Sequence, residues 1–306
     1  MRVFRGFHHP GIAQACALTI GNFDGVHRGH QAMLALLHNE ARHRRLPSCV
    51  MTFEPHPRDH FARLAAKPEL APARIATLRD KLSELERCGV DQVVVLRFDA
   101  RFASLSPQAF IDDVLVQGLG ARYVLVGDDF RFGARRAGDF STLQNKGFDV
   151  EAMPDVQFEN SRVSSSAIRA ALAGGDFALA QRLLGHPYTL SGRVAHGAKL
   201  GRELGFPTAN IVLRHPSPLS GIYVVDAGER GPGVASFGKR PTVNPVEVPL
   251  LEVHLFGETR DLYGEHLKVR FLKKLRDERK FDGLPALRDA IARDAAQAKE
   301  YLATHG

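Results

Sequence analysis

Gly21-Asn22-Phe23-Asp24-Gly25-Val26-His27-Arg28-Gly29-His30 follows directly on the apolar run Cys16–Ile20. A β-rich run, a glycine-rich turn and an amphipathic segment in that order read as a strand–turn–helix unit. Outward from it, Ser48–Phe53, 92–98 and 122–127 are rich in Val, Leu and Ile and read as further buried strands. Between them the spacing predicts helices over 30–44, 74–88 and 107–119. Such alternation predicts a Rossmann-like α/β domain, a parallel sheet with helices on both faces. These sheets bind ligands at the carboxyl ends of their strands, so chemistry is expected in the loops after Ile20, Phe53 and Val126.

Two more helices are expected at 164–173 and 176–184, broken by Gly174-Gly175. From Tyr188 the pattern changes to short β segments with frequent Gly and Pro, at 189–194, 221–225, 233–237, 250–256 and 266–271. That is the pattern of an antiparallel barrel or sandwich. Leu284, Leu287, Ile291, Ala295, Ala298 and Leu302 then fall at helical spacing, predicting a long terminal helix packed on the barrel. The domain boundary is placed at 185–188, giving domains of residues 1–185 and 186–306.

The bulk numbers narrow the function classes. The chain has 306 residues, 44% hydrophobic and 25% charged, enough for two cores. No apolar run approaches the roughly 20 residues of a membrane span. The N-terminus lacks a sustained apolar segment with a cleavage site, so a cytoplasmic enzyme with no membrane partner is expected. Cys16, Cys49 and Cys88 form no CxxC pattern and read as reduced small hydrophobes. A net charge of +7 suits either nucleic acid or phosphate-bearing small substrates. The basic residues are scattered, as at Arg42–Arg45 and Lys273, Lys274 and Arg276, with no interleaved aromatic platform. No nucleic-acid partner is expected, and the chain is expected to be a monomer or a weak homo-oligomer.

In the first motif the glycines let backbone approach a ligand, and a helix start offers free N–H groups to an anion. His27 and His30, three apart, can face one point and suit a nucleotide α-phosphate. A metal pair would want a third ligand, and two surface histidines are the other reading; the strand–turn–helix context favours phosphate. Ser164-Ser165-Ser166 at a helix start can cap it or bind phosphate, with Arg169 one turn on. In the second half Gly192, Gly197, Gly201 and Gly205 make a loop whose backbone can wrap phosphate, or ordinary turns; it is no Walker A. Thr208 and Asn210, two apart on an extended segment, point the same way and are hard oxygen ligands suited to Mg²⁺ and ATP phosphate.

These residues resemble the nucleotidyltransferases that carry an HxGH motif and a late SSxxIR-type motif. GNFDGVHRGH, TFEPHP (52–57), VGDDFRFG (126–133) and SSSAIR resemble more closely the FMN adenylyltransferase half of the bacterial bifunctional riboflavin kinase/FAD synthetases. FPTAN (206–210) resembles the PTAN motif of riboflavin kinases, and the resemblance runs in order from Leu18 to Tyr301. It implies riboflavin phosphorylation to FMN, then adenylylation of FMN to FAD, with ATP and Mg²⁺. In the first half it implies ATP contacts from Gly21, Asn22, Phe23, Asp24, Gly25, His27, His30, Ser165, Ser166 and Arg169, with Arg169 steadying pyrophosphate. Phe53, Pro55, Asp129 and Phe130 would line the flavin site. In the second half it implies ATP contacts from Gly192, Gly197, Lys199, Gly201, Phe206, Pro207, Thr208 and Asn210, with the last two on the metal. Glu252 would be the general base, and Arg276, Glu278 and Phe281 would bind flavin.

Overall fold

In the computed structural model, which describes residues 1–158, 161–197, 200–240, 248–258 and 260–305, the early apolar runs become a parallel sheet. The chain divides into two units, Met1–Pro72 with Lys81–Ser164, and Ala73–Asp80 with Ser165–Gly306. In the first unit β1 (Arg2–Arg5), β2 (Cys16–Ile20), β3 (Ser48–Phe53), β4 (Gln92–Leu96), β5 (Ala121–Gly127) and β6 (Asp149–Met153) lie in the order β1-β4-β3-β2-β5-β6. Every pairing is parallel. The order reverses at β2, which has β3 on one side and β5 on the other. The loop after β2 therefore opens at the switch point, as expected for a ligand site.

α1 (Arg28–His43) follows that loop, and α2 (Pro57–Leu64) follows β3. α3 (Leu78–Arg87) starts four residues later than the predicted 74–88, because the Thr77 hydroxyl caps it: the Asp80 N–H donates to Thr77 Oγ1 at 3.1 Å, and Thr77 Oγ1 donates to the Asp80 carboxylate at 2.7 Å. After α4 (Ala100–Ala103), the predicted helix 107–119 divides into α5 (Pro107–Ala109) and a π-helix, Phe110–Gly118. The wider turn buries Phe110, Ile111, Val114 and Leu115. α6 (Phe140–Gln144) and the short hairpin of β7 (Gln157–Phe158) and β8 (Ser161–Arg162) complete this half. Strands β1 and β6 escaped the sequence reading because they are sheet edges with few buried positions.

In the second unit α7 (Ser165–Gly174) and α8 (Phe177–Leu184) form the predicted helix pair. Asp176 caps α8, and Gly185 ends it in the left-handed conformation, φ 78°. The barrel strands are β9 (Thr189–Ala195), β10 (Ala209–Val212), β11 (Gly221–Asp226), β12 (Pro232–Arg240), β13 (Val248–Leu255) and β14 (His266–Arg276), with α9 (Leu200–Glu203) before β10. They close as β10-β13-β12-β11-β14-β9, antiparallel throughout, so the barrel and not the sandwich is formed. α10 (Leu284–His305) lays Ala295 and Ala298 on Ile222, Val224 and Val234. Leu284 is exposed, whereas Asp294, in the same apolar stripe, is buried. Among the described residues no helix is long and apolar enough to cross a membrane.

Candidate active sites

The first site is built almost wholly from one loop. After β2 the backbone of Gly21–Val26 is tightly wound, with positive φ at Phe23 (49°), Gly25 (84°) and Val26 (41°). A β-branched residue at positive φ is a genuine outlier, and such strain clusters at ligand sites. The turn delivers His27 as N-cap of α1, its Nδ1 accepting from the His30 N–H at 3.4 Å. The two imidazoles stack at 3.6 Å, 15° from parallel, and Phe23 lies 4.9 Å from His30. Gly29 leaves room for the His27 ring, since a Cβ there would sit 3.2 Å from His27 Nδ1. The first turn of α1 carries no acidic residue, leaving its positive end available to an anion.

Burial, then the neighbouring His27, then Lys81 hold His30 well below the ordinary histidine pKa, so its ring is neutral at pH 7. His30 Nδ1 and Asn22 Oδ1 are buried polar atoms with no hydrogen-bond partner among the described residues. Such atoms are costly unless a ligand completes them. Lys81, only 1% exposed, places its ammonium 3.4 Å from Thr52 Oγ1, which in turn donates to Asn22 O at 3.2 Å. Lys81 was missed in the sequence reading; the available signal was a charged residue inside the apolar stripe Leu78, Lys81, Leu82, Leu85 of α3.

Beside this loop, Phe53 belongs to a run of aromatic rings: Phe53 to Phe102, Phe102 to Phe110, Phe110 to Phe132 and Phe132 to Phe130, at 5.7, 6.1, 5.2 and 5.6 Å. The run joins two of the expected flavin residues, Phe53 and Phe130. Pro55 follows a cis peptide bond, and Asp129 is exposed, 3.9 Å from Arg162. Ser165, Ser166 and Arg169 belong to the other unit, at the start of α7, where Arg169 Nε donates to Ala73 O at 2.6 Å.

The second site is a cavity of about 400 Å³ in the barrel unit. Its wall includes Gly201, Phe206, Thr208, Asn210, Glu252, Arg276, Glu278 and Phe281, expected from the sequence, and Ser236, His254, Arg279 and Asp294, which were not. Barrel register assembles it: Glu252 on β13 stands opposite Asn210 on β10 and opposite Ser236 on β12. Directly opposed residues share a face, so the carboxylate and the amide point to one side of the wall. Asn210 is 5% exposed and its Oδ1 has no hydrogen-bond partner among the described residues, while its Nδ2 donates to Thr208 O at 3.3 Å. Gly197 and Gly201 press against this pair: a Cβ at Gly197 would meet the Asn210 amide, and one at Gly201 would sit 3.3 Å from Thr208 Oγ1. Gly192 lies within β9, where a Cβ would collide with Ile211. Pro207 O accepts from His254 Nδ1 at 2.9 Å. Lys199 lies outside the described residues.

Toward α10 the cavity becomes charged. Burial, then the nearby Glu252 carboxylate, raise the pKa of Glu278, with Arg276 opposing. Arg276 donates from Nε and Nη2 to the two carboxylate oxygens of Asp294, at 2.8 and 2.6 Å. The guanidinium carbons of Arg276 and Arg279 lie 5.6 and 5.0 Å from the Phe281 ring centroid.

A parallel sheet with a histidine-capped, glycine-rich loop at its switch point, joined in one chain to a closed barrel with a carboxylate–amide cavity, is the build of an enzyme with two sites. Residues 9–167 match the FAD synthetase family, and residues 184–302 match the riboflavin kinase family. The bifunctional riboflavin kinase/FMN adenylyltransferase of Escherichia coli K12 is 49% identical, over 99% of this chain and 98% of its own. The proteins of that description from Pseudomonas fluorescens and Haemophilus influenzae are 48% and 45% identical, over 99% of this chain and 98% and 99% of theirs. A crystal structure described as a macrolide-efflux protein from Streptococcus pneumoniae superposes with a TM-score of 0.75 at 31% identity, covering 98% of each chain. The chain belongs to the bifunctional riboflavin kinase/FMN adenylyltransferase family.

Proposed function

We propose that residues 186–306 phosphorylate riboflavin to FMN and that residues 1–185 join FMN to the AMP part of a second ATP, giving FAD and pyrophosphate. The observation that carries the first step is the opposition of Glu252 and Asn210 across β13 and β10 in the wall of one cavity. Glu252 takes the proton of the riboflavin 5′-hydroxyl as its oxygen bonds to the ATP γ-phosphorus. The bond from that phosphorus to the bridging oxygen breaks, and ADP leaves. General-base help of this kind contributes about 10²–10⁴-fold in rate. The buried, unpartnered Oδ1 of Asn210 and the adjacent Thr208 hydroxyl are hard donors that fit Mg²⁺, which when bound would offset charge on the ATP phosphates. Arg276, Glu278 and Phe281 hold the flavin, and Gly192, Gly197, Lys199, Gly201, Phe206 and Pro207 surround the nucleotide.

In the second step an FMN phosphate oxygen attacks the ATP α-phosphorus and pyrophosphate departs. His27 and neutral His30 donate to the phosphates at the positive end of α1. Gly21–Gly25 wrap them, and Ser165, Ser166 and Arg169 hold the pyrophosphate. Phe53, Pro55, Asp129 and Phe130 line the flavin position. The enzyme works in the cytoplasm, as a monomer or weak homo-oligomer, without nucleic acid. A chromatographic time course with riboflavin, ATP and Mg²⁺ tests this reading: FMN rises first and FAD follows. FMN without FAD would refute the first-half assignment, and no product from folded protein would refute both.

A further inference from the structure

Asp294 is a carboxylate from the terminal helix, 5% exposed, in the wall of a cavity assigned above to riboflavin. It engages Arg276 through both oxygens, and Arg276 Nη1 donates to Asp277 O at 3.0 Å. A guanidinium has five N–H donors in one plane. Three are thus committed within the protein, and the Nε–Nη2 edge, one of those that can grip a phosphate bidentately, is taken by Asp294. What remains for a ligand is one N–H on each of Nη1 and Nη2 and the planar face, in the neighbourhood of the Phe281 ring. Among the described residues, the other charges on the cavity wall are Glu252 and Glu278, against Arg279. Of these, with Asp294 in place carboxylates outnumber guanidiniums. Without it the two would balance.

We infer that Asp294 is a positioning and specificity-determining residue of the kinase site: it turns the Arg276 edge away from the ligand and cancels its charge, so that the cavity prefers uncharged riboflavin to its dianionic phosphate. The inference rests on the assignment of this cavity to riboflavin. It makes charge, and not only shape, the reason the product leaves. A carboxylate that served only to anchor α10 would affect riboflavin and FMN alike.

Initial rates of riboflavin phosphorylation by the full chain, with FMN added as inhibitor, separate the two roles. In Asp294→Asn, nearly isosteric, the FMN inhibition constant falls relative to the riboflavin KM by about threefold to tenfold, as expected for one unit of charge at site dimensions and partial screening. In Arg276→Met, which leaves the carboxylate uncompensated, the ratio moves the opposite way. Circular dichroism and a cooperative thermal transition like that of the unsubstituted chain report that each variant is folded. Both constants moving by one common factor in both variants would overturn the inference. Should Asp294→Asn fail to fold, Arg276→Met decides alone, and an unchanged ratio there overturns it. Absence of FMN formation by the unsubstituted chain would instead refute the underlying assignment of the cavity.

Discussion

The two sites are assembled in opposite ways. The first draws Gly21 through His30 from one continuous loop, and the strained turn itself aims both imidazoles. The second draws Asn210, Ser236, Glu252 and Arg276 from different barrel strands, and strand register brings them to one wall. A site made from contiguous residues carries its geometry in local backbone conformation. A site made across strands carries it in the closure of the barrel, where a one-residue slip would turn Glu252 to the opposite face. The electrostatics differ as well. The first site holds a buried lysine and a neutral His30, suited to anions, whereas the second gathers carboxylates around Asn210.

The comparison can be broken at its strongest point first. Asn210→Ala removes the oxygen that register places opposite Glu252, and FMN formation is expected to fall by about 10–100-fold, judged from typical losses at metal-supporting positions. FAD formation from supplied FMN is expected to stay unchanged, because the loop after β2 and Asn210 belong to different units. Steady-state rates of both reactions check this, and equal losses in both would mean that the sites are not separately built.

A smaller effect sharpens the electrostatic contrast. The folded-state pKa of His30 lies well below the 6.5 expected of a free histidine. Below pH 6.5 the unfolded chain takes up a proton that the folded chain refuses, so this group destabilises the fold as pH falls through that value, until the lowered folded pKa is reached. Denaturant midpoints from pH 7.5 to 5 are expected to decline less steeply for His30→Gln than for the unsubstituted chain. Identical slopes would show that His30 is not held neutral.

The same contrast explains what was legible in the sequence. GNFDGVHRGH could be read because turn, cap and ligand residues are contiguous, and FPTAN because alternation on an extended segment sets Thr208 beside Asn210. Ser236, His254 and Arg279 could not be placed, since only strand pairing and chain return bring them to the cavity. Lys81 and Asp294 share one cause: each is a charged residue inside the apolar stripe of an otherwise ordinary amphipathic helix, where helical spacing marks only the hydrophobic members. A buried charge is kept only with partners, which here are Thr52 for Lys81 and Arg276 for Asp294. The edge strands β1 and β6 were missed for a plainer reason. Their buried positions are too few to produce a period.

The central claim is that one chain carries two separately built active sites, and a crossed pair of substitutions tests it most directly. His30→Ala and Glu252→Gln would each be assayed for FMN formation from riboflavin and for FAD formation from supplied FMN. The account predicts that His30→Ala abolishes FAD formation and spares FMN formation, and that Glu252→Gln does the reverse. Loss of both activities from either substitution, in protein that remains folded, would contradict it.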